Sequence, residues 1–168
     1  GFSTGLFYAP GYYARADEVI SIAEEVGKRN KLYSTHQRDE GTISVGLFTS
    51  LNEAIETGRR AECKVQISHV KCDFQKVWGK ADKVLELIEN AVDEGLDVAG
   101  DQYPYPRSST GITGALFPRW SLSGGREQTL EIMANEDSRG ELIDGINEII
   151  DQGTGPEALL IGRYVPDE

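Results

Sequence analysis

Leu32-Tyr33-Ser34-Thr35-His36 and Val65-Gln66-Ile67-Ser68-His69 are two short runs of one design, and each closes on a histidine. Between them they hold both histidines of the chain. Each run is rich in apolar and β-branched residues and follows a segment with helical spacing. Each therefore reads as a buried strand with its histidine at the C-terminal end. Before the first run, Gly1 to Tyr8 reads as a strand ending in the turn Ala9-Pro10-Gly11. A helix from Ala16 to Lys28 follows, with Val19, Ile20, Ala23 and Val26 on one face. Asp17 and Glu18 in its first turn and Lys28 and Arg29 at its end suit the helix dipole. A second helix is expected over Leu51 to Arg60, and a third over Ala81 to Glu94 with Val84, Leu87, Ile88 and Ala91 on one side. Leu96 to Asp101 reads as the fourth strand. Strands and helices alternating at these lengths are right-handed crossovers of a parallel sheet. Four strands and three helices predict half of an eight-stranded β/α barrel or a small doubly wound sheet.

Beyond Pro106 the rhythm stops. Ser108-Ser109-Thr110-Gly111 and Ser121-Leu122-Ser123-Gly124-Gly125 are loop signals. Two helical stretches, Arg126 to Ala134 and Arg139 to Ile150, are separated by Asn135-Glu136-Asp137, and a strand-like end follows at Ala158 to Tyr164. The chain thus divides into a β/α segment, residues 1–105, and a mainly helical insertion or lid-like subdomain, residues 106–168.

Composition limits the possibilities. The 168 residues suffice for one domain with a real core, and 39% hydrophobic with 27% charged residues is ordinary for a globular protein. A net charge of −11 argues against broad contact with nucleic acid, which needs clustered cations. No apolar run approaches the ~20 residues that span a bilayer, so no membrane association is expected. Cys63 and Cys72 are too few for a disulfide scaffold and lack C-x-x-C spacing, which makes a reduced, cytoplasmic setting the expectation. The chain opens on Gly1 and its single methionine is Met133, so it reads as an excised piece of a longer protein.

In α/β barrels and open parallel sheets, chemistry sits beyond the C-terminal strand ends. One strand-end histidine would be explained by satisfied backbone groups. Two at equivalent positions on adjacent strands favour metal ligation, since neutral imidazole is the commonest metal ligand. Zinc would need at least one ligand more. After His36, Asp39 and Glu40 read as a solvated polar loop, while Arg38 could aim its guanidinium at a substrate carboxylate. Lys71 could act there as a point charge. Asp101 is either an end-of-strand carboxylate bonded to a neighbouring loop or a partner of the site. Tyr103 is either a hydrogen-bond donor to a developing oxyanion or a packing aromatic. Trp78 and Trp120 read as packing residues, and both cysteines as structural.

Five collinear segments carry a family resemblance: Gly1-Phe2-Ser3-Thr4-Gly5-Leu6, Ser34-Thr35-His36-Gln37-Arg38-Asp39-Glu40-Gly41, Ile67-Ser68-His69-Val70-Lys71, Trp78-Gly79-Lys80 and Asp101-Gln102-Tyr103-Pro104-Tyr105. Together they resemble the N-acyl-D-amino-acid deacylases (D-aminoacylases) of the amidohydrolase superfamily. The resemblance implies a zinc-dependent β/α barrel, here its fourth to seventh strands. It implies His36 and His69 as metal ligands, and Lys71, Tyr103 and Ser109 as groups holding the substrate's carboxylate and polar atoms. It implies that the segment after Pro106 is an insertion covering the site. The family's paired first-strand histidines and a bridging cysteine are missing, and its catalytic aspartate is expected beyond Glu168. Asp101 lies on the wrong strand to replace it, so no catalytic residue is assigned here. The isolated chain is expected to be inactive, to hold zinc weakly and to self-associate through exposed sheet edges.

The activity implied for the parent protein is hydrolysis of the amide bond of small-molecule N-acyl-D-amino acids. The rival readings are a dihydroorotase-like cyclic-amide hydrolase, which shares the barrel and the strand-end histidines, and a non-catalytic binding or structural half-barrel. Asp101 to Thr110 favours the deacylase.

Overall fold

The computed structural model describes residues 1–153 and 155–163. Its frame is β1 (Phe2–Gly5), α1 (Ala16–Gly27), β2 (Leu32–His36), α2 (Leu47–Ala61), β3 (Lys64–Ile67), α3 (Ala81–Asp93) and β4 (Val98–Gly100). The four strands are parallel and lie in the order β1-β2-β3-β4. A doubly wound sheet reverses its order at a switch point, whereas successive barrel strands are neighbours. The sequential order is that of a partial barrel.

Register explains the two faces of the sheet. Thr4, Thr35, Ile67 and Gly100 are aligned, as are Phe2, Tyr33, Val65 and Val98. On this face Tyr33, Val65, Ile67 and Val98 are buried together with Val19 and Ala23 of α1, Leu51 and Ala54 of α2, and Val84 and Ala91 of α3. Thr4 and Thr35 survive in this layer because Thr4 Oγ1 bonds both the Tyr33 hydroxyl and Thr35 Oγ1, at 2.9 and 2.8 Å. The other face carries the aligned Ser3, Ser34, Gln66 and Ala99. Side chains alternate along a strand, so the apolar layer lies under the helices and the polar, small one faces away.

Several boundaries differ from the sequence expectation. The expected strand Gly1 to Tyr8 shortens to β1, and Leu96 to Asp101 shortens to β4. The second helix starts at Leu47 rather than Leu51, because the loop before it is organised by Asp39. That carboxylate is fully buried and accepts the N–H groups of Gly41, Ser44 and Gly46 and the Ser44 hydroxyl. The solvated loop expected at Asp39 and Glu40 is therefore corrected to a buried one. At Gly41 a Cβ would lie 2.3 Å from the Phe74 ring and 2.7 Å from Asp73 O, so only glycine lets the two loops meet.

The remainder is helical: α4 (Ile112–Leu116), α5 (Gly125–Ala134) and α6 (Glu136–Gln152). Only Asn135 separates the last two, because its Oδ1 accepts the N–H groups of Asp137 and Ser138 and starts α6 at once. The strand-like end is corrected: Pro156–Ala158 is a 3₁₀ turn, residues 159–163 join no strand, and Tyr164 lies outside the described residues. No helix among the described residues is long and apolar enough to cross a membrane.

Arg38 is a structural clamp. Its Nε and Nη2 donate to both carboxylate oxygens of Glu53 on α2, at 2.8 and 2.7 Å, while Nη1 and Nη2 donate to the carbonyls of Tyr12 and Ala14. The guanidinium aimed at a substrate carboxylate is thereby corrected: its donors are spent on α2 and the loop after β1. Removing one partner of such a buried pair leaves the other uncompensated, which costs about 3–5 kcal/mol. Glu53→Ala is expected to lower unfolding stability by that order, measured by denaturant titration, and Arg38→Met/Glu53→Leu to recover most of it.

Candidate metal centre

The parallel pairing of β2 with β3 sets the site. Thr35 is in register with Ile67, so the residues that follow leave the sheet side by side. His36 is the last residue of β2. His69 was expected to end its strand, but β3 stops at Ile67 and His69 stands in the turn beyond it, with φ +42°. That left-handed conformation is uncommon outside glycine. It is held by Asp101, whose Oδ1 accepts the His69 N–H at 2.7 Å while Oδ2 accepts Gln66 Nε2, also at 2.7 Å.

The two imidazoles face each other edge to face, with centroids 4.5 Å apart. Phe7 stacks on His36 at 5.2 Å and Tyr8 meets it edge-on at 4.9 Å. His36 Nδ1 lies 3.1 Å from Gln37 O, a contact that fixes Nδ1 as the donor and leaves the Nε2 lone pair free. Burial drives the His36 pKa down to about 4, against the pull of the Gln37 carbonyl. The neutral imidazole, the form that binds metal, therefore persists well below neutrality.

Beside both rings stands Glu40, which is 5% exposed. Its Oε1 is 3.0 Å from His69 Nδ1 and accepts from Lys71 Nζ at 2.5 Å; Oε2 is 3.9 Å from His36 Nε2. Burial pushes the Glu40 carboxyl up, opposed by Lys71 and His69. Nothing local in the sequence announces this residue. It is covered by distant residues: its carboxylate meets His69 and Lys71, and its backbone carbonyl accepts the Asp73 N–H. Potential donor atoms of His36, Glu40 and His69 all lie within 4.8 Å of one another. Two imidazoles with a carboxylate beside them match the nitrogen and oxygen chemistry of zinc sites, so the residues present fit that ion.

The remaining predicted residues are placed as follows. Lys71 Nζ is 2.9 Å from His69 Nδ1 and 5.7 Å from the centroid of Tyr103, whose ring is 6.5 Å from that of His69. Ser109 is exposed in the irregular segment between β4 and α4. Its neighbour Thr110 bonds the Tyr8 hydroxyl at 2.9 Å, which ties that segment to the ring packed on His36. Arg119, which the sequence did not single out, lies 4.4 Å over Phe7 and 5.2 Å over Tyr12. Burial lowers its pKa. Cys63 and Cys72 are free, and burial raises both thiols.

No family model matches the chain. It is 41% identical over 110 residues to an N-acyl-D-glutamate deacylase of Alcaligenes xylosoxydans xylosoxydans, and 38% identical over 110 residues to a D-aminoacylase of the same organism. Each match covers 66% of this chain and 22% of the relative, so the chain spans about a fifth of the length of the curated relatives it matches. Among solved structures, a D-aminoacylase described as defining a novel subset of amidohydrolases superposes with a TM-score of 0.58 at 36% identity, over 62% of this chain and 21% of that one. An N-acyl-D-glutamate deacylase from Bordetella bronchiseptica, complexed with zinc and a phosphonate mimic of the tetrahedral intermediate, gives 0.63 at 28% identity, over 89% and 36%. Sequential parallel strands, two histidines facing each other beyond their C-terminal edge and this level of identity agree: over 110 of its residues the chain is homologous to the N-acyl-D-amino-acid deacylases (D-aminoacylases) of the amidohydrolases.

Proposed function

We propose that the protein of which this chain is part hydrolyses the amide bond of N-acyl-D-amino acids, releasing a carboxylate and the free D-amino acid. The observation that carries the reading is the facing pair His36 and His69, 4.5 Å apart between centroids, in a chain 41% identical to an N-acyl-D-glutamate deacylase. The two imidazoles would hold zinc. A zinc ion held there would supply Lewis acidity for the scissile carbonyl and for the attacking water.

The chain's own residues bind and orient. Lys71 and Tyr103 stand on one side of His69 and offer an ammonium and a phenol to the substrate carboxylate; Ser109 adds a hydroxyl from the segment that Thr110 fastens to Tyr8. Residues 106–168 act as the covering subdomain. In support, the Tyr13 hydroxyl donates to Arg119 O at 2.5 Å, and the Arg119 guanidinium lies over Phe7, beside His36. Phe7 and Tyr8 exclude water from one flank of the metal ligand, which strengthens electrostatic interactions within the site.

The reading is tested on the full-length protein against N-acetyl-D-amino acids, their L-enantiomers and cyclic amides. Turnover of the D-series alone supports it, while turnover of cyclic amides alone would favour the dihydroorotase-like alternative. His36→Ala or His69→Ala is expected to deplete bound zinc, measured by elemental analysis. Each should lower kcat/KM about a thousandfold, the equivalent of ~4 kcal/mol of transition-state stabilisation. The 168-residue chain alone is expected to show no metal-dependent turnover of N-acetyl-D-glutamate in a product-release assay. The same chain should self-associate through the unpaired edges of β1 and β4, visible as concentration-dependent mass in light scattering.

A further inference from the structure

We propose that Glu40 is a positioning residue that joins the metal ligand His69 to the substrate-side Lys71 through a single carboxylate oxygen. The proposal rests on the reading just given for those two residues and adds what fixes them relative to each other. Glu40 Oε1 stands 3.0 Å from His69 Nδ1 and 2.5 Å from Lys71 Nζ, and those two nitrogens are 2.9 Å apart. The three groups form one closed, half-buried to buried cluster.

Charge decides which way the His69 ring works. The ammonium of Lys71 occupies the Nδ1 side. A divalent cation bound at Nδ1 would share that space with a like charge, whereas Nε2 lies on the other side of the ring. The Glu40 carboxylate can only accept, so with Lys71 directing its proton to Glu40 Oε1 and not to Nδ1, the His69 Nδ1–H points to the same oxygen and the lone pair is on Nε2, the ring orientation that carboxylates impose on metal-bound histidines. The backbone that carries this carboxylate is itself anchored. The Glu40 carbonyl accepts the Asp73 N–H at 2.8 Å, and the neighbouring Gly41 N–H donates to Asp39 Oδ1 at 2.8 Å. Glu40 therefore sets the distance between the group that binds metal and the group that binds the substrate's carboxylate.

The test uses the full-length protein with Glu40→Gln, Glu40→Asp and Lys71→Met. Zn²⁺ and Co²⁺ affinities are measured by chelator competition, the visible spectrum is recorded with Co²⁺ bound, and KM and kcat are measured with N-acetyl-D-glutamate. Glu40→Gln is expected to weaken metal binding about 10–100-fold. It should keep the Co²⁺ band pattern, since no ligand is lost, and raise KM together with the metal effect. Glu40→Asp, which restores the charge at shorter reach, should recover part of the affinity. Lys71→Met should raise KM and leave metal affinity near that of the parent. Unchanged metal affinity in a folded Glu40→Gln protein overturns the proposal. So does a Co²⁺ spectrum altered as for a lost ligand, which would make Glu40 a ligand itself. If Glu40→Gln does not fold, Glu40→Asp decides alone, and parent-like metal affinity with parent-like KM overturns the proposal. A parent protein that binds neither ion would instead defeat the metal reading of His36 and His69, whatever the variants do.

Discussion

Parallel hydrogen bonding between β2 and β3 is the constraint on which the rest of this molecule depends. Once Thr35 is opposite Ile67, the chain leaving β2 at His36 and the chain leaving β3 emerge on the same edge of the sheet. The crossover helix α2 enforces that arrangement, because its buried Leu51, Ala54 and Ile55 can be covered only by lying on the apolar face shared by Tyr33 and Val65. The meeting of the two imidazoles thus follows from where hydrophobic surface is buried on the far side of the sheet. It needs no affinity of the histidines for each other.

Around that edge, charge is buried in pairs and networks. Arg38 with Glu53, Asp39 with a ring of N–H donors, and Glu40 with Lys71 each keep a desolvated charge compensated. All come from the run His36-Gln37-Arg38-Asp39-Glu40-Gly41, yet each points to a different neighbour: α2 and the loop after β1, its own loop, and the turn after β3. The start of the loop between β2 and α2 is thus held in one shape by the rest of that loop and by three other parts of the chain.

Periodicity made the frame legible. Val19, Ile20, Ala23 and Val26 are the buried residues of α1, and the alternation of four short strands with three helices is the observed sheet. The emergence of both histidines at one edge of the sheet was legible from position, although His69 lies in the turn beyond β3 and not at a strand end. The loop charges were not, because their burial is decided by residues far along the chain. Arg38 looked free until Glu53 closed on it from α2, and Glu40 looked solvated until Asp73 and Lys71 covered it. The positive φ of His69 was hidden for a similar reason. No local signal marks a non-glycine residue for that conformation, and the carboxylate that pays for it is Asp101.

That last contact also makes the turn after β3 depend on the fourth strand. His69 belongs to the turn after β3, but its backbone is pinned by a residue just past the end of β4, so its positive φ is held by the docked fourth strand. The pairings of β1 with β2 and of β2 with β3, and the burial of Tyr33, involve no part of that contact. The placing of the His69 ring is therefore tied to the docking of the fourth strand rather than to the burial of the core.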